Sequence, residues 1–220
     1  MKEDLKLCMK LLKYSYNQKD ETFTGIVMFI LGLILFLVDS IAATLAIGPS
    51  IFIVLAPPLF IKGIYSLPYS YMVCSSKKRR FMELTFPNLW TACSTFFGYT
   101  LWILMVRVFL LAGSPEREAE IARWIMWSAL LYAVMLIFYG ITTRFYWRGL
   151  IFIVVAALAV MFGEIFWDEG FSNVTEFGPA AVAGLMITMA GVLLSCVLRV
   201  LVYKKPVVRG RIGKQMLGLQ

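Results

Sequence analysis

The chain has 220 residues, 60% of them apolar and only 15% charged, with a mean hydropathy of +0.80. A water-soluble domain of this length does not carry apolar runs of about 20 residues, so a polytopic helical membrane protein is expected. The formal charge of +8 then marks one rim of such a protein rather than a nucleic-acid surface, and the absence of His removes the commonest general base and metal ligand.

Residues 1–23 are rich in Lys, Asp and Asn and lack the compact apolar core and small-residue cleavage site of a signal peptide. Leu5, Cys8, Met9, Leu12 and Tyr16 share one helical face; Lys6, Lys10, Lys13 and Asn17 share the other. This predicts a helix lying in the membrane interface with its lysines reaching anionic headgroups, the alternative being a soluble helix docked on a partner.

The 24–203 segment reads as one membrane domain of six spans, at about 24–46, 51–73, 88–112, 121–142, 149–167 and 178–202. Each is long enough to cross a core of about 30 Å at 1.5 Å per residue. Gly48-Pro49-Ser50 is expected to turn the chain between the first two spans. Pro57 and Pro58 remove backbone donors from the second span and predict a kink, read either as a tolerated structural feature or as part of a transport path. Residues 163–179, GEIFWDEGFSNVTEFGP, are too apolar for a plain solvated loop and predict either short helices dipping back into the membrane or a capped turn. Asn173-Val174-Thr175 within them matches a glycosylation sequon. The sixth span aligns Ala180, Gly184, Gly191 and Ser195, a spacing that lets helices approach closely within the bundle. Residues 204–220 form a basic tail.

With the N-terminus placed in the cytoplasm, the inner segments hold sixteen cations and the outer loops two, Arg117 and Arg123. The positive-inside rule therefore puts both termini in the cytoplasm. Trp124, Trp147 and Trp167 fall at span ends, where an aromatic belt is expected. Cys8, Cys74, Cys93 and Cys196 contain no C-x-x-C pair and are read as free thiols.

Among the charged residues within the spans, Asp39, Lys62, Arg107 and Glu164 are singled out. Asp39 is about 12 Å and Arg107 about 9 Å from the outer face at 1.5 Å per residue. The matched depth fits an ion pair that fixes helix contacts; it also fits a polar lining of a substrate path or proton site, or independent snorkelling. Catalytic signatures are missing: there is no G-x-S-x-G or H-E-x-x-H, and Gly210 to Gln215 has the wrong spacing for a phosphate loop. The chain is read as a non-enzyme with no cofactor or metal of its own.

The amphipathic N-terminal helix, the six spans, the basic stretch Lys77-Lys78-Arg79-Arg80 between spans two and three and the semi-apolar segment between spans five and six resemble the membrane subunit of type-2 ABC exporters. Ser66-Leu67-Pro68-Tyr69-Ser70 is similar to the Leu-Pro-x-Ser pattern of small members, although Tyr71–Ser76 separates it from the cations. The resemblance implies an all-α permease working as a homo- or heterodimer, with ATP and Mg held by a separate ATPase subunit. It implies a coupling helix at about Ser75–Phe86, with Lys77, Lys78, Arg79, Arg80, Phe81, Met82 and Glu83 contacting that motor. It also implies a substrate path between two subunits, near the first, second and fifth spans. A substrate-binding component of an energy-coupling-factor importer and a non-transport assembly or immunity protein remain the alternatives. Membrane lipid is an expected partner in all three; nucleic acid is not.

Overall fold

The computed structural model describes Lys6 and residues 18–42, 45, 47–60, 80–142, 145–166 and 171–203. Among these the chain is all-helical, with no strand. Six α-helices follow in order: α1 (Gln18–Ile41), α2 (Ile47–Leu59), α3 (Phe86–Met105), α4 (Glu118–Thr142), α5 (Tyr146–Phe166) and α6 (Phe177–Val202). Wider π turns at Phe81–Thr85 and Val106–Leu111 extend α3 at both ends, and a 3₁₀ turn at Pro115–Arg117 leads into α4. Four stretches are long and apolar enough to cross a membrane: Thr22–Ile41, Glu83–Leu111, Pro115–Thr142 and Phe177–Val202. Gly48–Pro58 and Ile151–Val160 are shorter apolar helical stretches.

Consecutive helices run antiparallel. Gly25, early in α1, lies against the Phe60 ring just past α2. Trp90, early in α3, donates its indole N–H to the Pro57 carbonyl late in α2 at 2.9 Å. Phe138, late in α4, stacks on Phe152, early in α5, at 5.4 Å, and Arg199, late in α6, meets Asn88 at the start of α3. The beginning of α1 and the end of α6 therefore share the end of the bundle at which Arg80 leads into α3. This is termed the Arg80 end; Arg107 lies toward the opposite one.

Helix α4 is the centre of the bundle and touches α6, α5 and α2. Trp124 to Ala129 are all buried, and six consecutive residues exceed one full turn, so no side of the helix faces out there. Close contact with α6 depends on small residues. A Cβ on Gly191 would stand 2.5 Å from Ala133 Cα, and one on Gly140 would stand 2.6 Å from the Ser195 carbonyl oxygen. The small-residue face of α6 is thus used inside the chain, where backbones meet without intervening side chains.

The outer surface is apolar. On α1, Phe23, Ile26, Ile30, Ile34, Val38 and Ile41 are exposed; Phe97, Leu104 and Val108 on and beyond α3, Ile151, Val155 and Phe162 on α5, and Val182, Met186 and Leu201 on α6 add to it. Apolar surface this extensive is not left against water. It fits lipid chains, in keeping with a membrane protein.

Two expectations change here. Gly48-Pro49-Ser50 is not a separate turn: it belongs to the first turn of α2, where proline's fixed φ and missing N–H do no harm. Trp124 is not a belt residue, because it is only 4% exposed and packs against Trp102 in the core.

Candidate functional site

The Arg80 end is built around the start of α3. Arg80 is helical and exposed, and the chain passes from it through the π turn into α3 without a break. Phe81 is half-buried, whereas Glu83, Leu84 and Phe86 are buried. The expected coupling residues therefore divide: Arg80 points outward and Glu83 is folded into the bundle. Lys77, Lys78 and Arg79 lie outside the described residues, and of Met82 only the helical backbone is described.

Two polar contacts fix this start of α3 to its neighbours. Arg199 is 2% exposed, an unusual burial for a guanidinium. It donates to Asn88 Oδ1, and its Cζ stands 5.8 Å from the centre of the Tyr139 ring, so α3, α4 and α6 meet at one cation. On the other side is the Trp90 bond to Pro57. Pro57 and Pro58 sit inside α2 and lack the N–H groups that would bond the Ile53 and Val54 carbonyls. Those carbonyls face Gly98 of α3, where a Cβ would stand 2.9 Å from Ile53 O and 3.3 Å from Val54 O. Only glycine brings its backbone close enough for Cα–H contacts to them. The two prolines thus locate the α2–α3 contact.

The middle of the bundle holds four aromatic residues. Trp102 lies edge-on to Trp124 at 5.2 Å, to Tyr132 at 5.5 Å and to Tyr99 at 5.5 Å. Tyr99 donates its hydroxyl to the Ala181 carbonyl at 3.3 Å, and that hydroxyl rests on Gly184, where a Cβ would collide with it. Around these rings, Trp102 Nε1, Trp124 Nε1, Ser128 Oγ, Tyr132 Oη, Thr95 Oγ1 and Thr188 Oγ1 are buried with no hydrogen-bond partner. Sequence reasoning missed this cluster and Arg199 alike.

At the Arg107 end, Phe36 of α1 packs edge-on against Phe109 at 6.5 Å. Asp39 is half-buried and Arg107 exposed. The segment before α6 forms a capped turn in its described part. The Val174 N–H donates to Phe171 O at 2.9 Å, Phe171 packs on Trp127 at 5.2 Å, and the Phe177 N–H at the start of α6 donates to Glu118 Oε1 at 2.8 Å. A carboxylate from α4 thus satisfies one of the open N–H groups of α6, and its charge suits the helix dipole. Phe171 has φ 82°, a left-handed conformation that costs a bulky residue roughly 1–3 kcal/mol. Asn173 of the sequon is exposed.

Of the remaining expected residues, Lys10, Lys13 and Lys62 lie outside the described residues, and Glu164 is described only as a helical position of α5. Lys6 is helical and exposed. Cys93 is an exposed free thiol and Cys196 a half-buried one; Cys8 and Cys74 fall outside the described residues. No group of three or more metal-ligating side chains occurs among the described residues. No protein-family model, curated protein or solved structure matches the chain.

Proposed function

We propose that the chain is the membrane subunit of an ATP-driven exporter, crossing the cell membrane six times with both termini in the cytoplasm, and working as a dimer on a separate ATPase. The observation that carries this reading is the unbroken helical path from exposed Arg80 into α3. A motor that moves Arg80 moves the helix that Arg80 leads into. Helix α3 passes the motion on at two fixed points, to α2 through Trp90 and Pro57 and to α6 through Asn88 and Arg199.

The topology is supported by the shared end of α1, α6 and Arg80. That shared end supports a reading in which the N-terminal lysines, Lys77–Arg80 and the basic tail all face the cytoplasm, as the positive-inside rule requires. Anionic lipid beside that cluster contributes about 1 kcal/mol per cation. On this reading ATP and Mg bind to the partner.

Purification of the tagged chain from its own membranes tests the proposal. A P-loop ATPase is expected to copurify, and changing Lys77, Lys78, Arg79 and Arg80 together to Ala is expected to release it while the chain itself stays in the membrane. A variant that retains the ATPase removes the coupling role from this segment.

A further inference from the structure

We infer that the space between α3 and α4 is a ligand chamber within a single chain, suited to a neutral, largely apolar molecule carrying carbonyl or ether oxygens. The inference goes beyond the exporter reading, since it requires neither a second copy nor a motor.

The helices themselves outline the chamber. The backbones of α4 and α6 touch through Gly191 and Ala133, but those of α3 and α4 scarcely approach one another. What bridges α3 and α4 is side chain alone: Tyr99 and Trp102 from one helix, Trp124 and Tyr132 from the other, all buried. Their rings meet edge to edge-on at 5.2–6.5 Å, so in this state they occupy the chamber themselves. Rotating one or two of these rings opens room for a flat molecule, which replaces ring–ring contacts with ring–ligand contacts.

The polar atoms define what enters. An indole N–H can only donate, and those of Trp102 and Trp124 have no acceptor. The Ser50 and Ser128 hydroxyls lie within hydrogen-bonding reach of Tyr132 Oη, but neither Tyr132 Oη nor Ser128 Oγ completes a well-aligned bond. Buried donors left unmade are costly and rare in folded chains. Several of them gathered around one set of rings point to an acceptor-bearing occupant. Among the described residues the buried charged side chains are Glu83 and Arg199, both toward the Arg80 end, so a charged ligand would find no buried counter-ion beside these rings in a low-dielectric site.

The test uses the full-length chain in lipid nanodiscs and equilibrium dialysis with three probes: coumarin, which carries a lactone carbonyl and ring oxygen; naphthalene, of similar size without an acceptor; and the tetraphenylphosphonium cation. Coumarin is expected to bind saturably, with naphthalene distributing as it does into empty nanodiscs. Tyr132→Phe removes one hydroxyl and no ring, and is expected to weaken coumarin about three- to tenfold, the change for one lost neutral hydrogen bond. Trp102→Phe and Trp124→Phe are expected to act in the same direction. Non-saturable coumarin uptake, or saturable uptake indifferent to Tyr132→Phe and both Trp variants, overturns the inference and leaves these donors to water alone. Saturable cation binding tighter than that of coumarin overturns it as well.

Discussion

Replacing Gly191 with Ala tests the α4–α6 contact that centres the bundle. The added methyl would stand 2.5 Å from Ala133 Cα and 2.8 Å from both its Cβ and its carbonyl oxygen. All three atoms are held by the middle of α4 and none is the free end of a flexible side chain. Relief requires about 1 Å of separation between the helices, which loosens the neighbouring contacts of Gly140 and Gly184 with it. Overpacking of this kind costs about 1–3 kcal/mol. At about 2–4 °C per kcal/mol for a chain of this size, the unfolding midpoint falls by several degrees. The assay is thermal unfolding in detergent, with Gly178→Ala as control. Gly178 lies on the same helix with nothing within 4 Å of its would-be Cβ, so that variant is expected to be neutral or stabilised by up to about 1 kcal/mol. A Gly191→Ala protein as stable as Gly178→Ala would refute close backbone contact between α4 and α6.

Substitutions at three other positions probe the polar contacts between helices. Asn88→Ala removes an acceptor from buried Arg199 and is expected to destabilise by about 1.5–3 kcal/mol in the same unfolding assay; Asn88→Asp, which keeps an acceptor, recovers most of it. Trp90→Phe keeps a ring and loses the bond to Pro57, for an expected loss of about 0.5–1.5 kcal/mol. Glu118→Ala leaves the Phe177 N–H at the start of α6 without its cap. It is expected to cost about 0.5–2 kcal/mol and to speed hydrogen exchange at Phe177, whereas Glu118→Gln, with one acceptor oxygen retained, should show the smaller effect.

The helices were legible because each is an apolar run bounded by charge or turn residues. The described bounds of α4, α5 and α6 fall within a few residues of the expected spans. Helix α3 departs more: its membrane-length stretch begins at Glu83, before the expected 88. Glu83 reads as polar in sequence, but the π turn that carries it buries it beside Leu84 and Phe86. The proline pair was visible, but its consequence was not. That Ile53 and Val54 carbonyls meet Gly98 depends on a contact between helices more than 40 residues apart in the chain.

The residues that matter most at the site were hidden for a related reason. Arg199 stands in register with Gly184, Thr188, Gly191 and Ser195 on the buried face of α6, so periodicity held a signal that its place near the basic tail concealed. Trp124 looks the same in sequence whether it faces a membrane interface or a neighbouring helix. Its ring instead packs edge-on against Trp102 of α3.

In the proposed exporter a separate motor grips the segment leading into α3. A photo-reactive benzoylphenylalanine placed at exposed Arg80, with the same residue at exposed Asn173 on the opposite end as control, tests it by direct cross-linking in native membranes. A cross-link from position 80 to a P-loop ATPase is expected, and none from position 173. No ATPase captured at position 80, or equal capture at both positions, would contradict it.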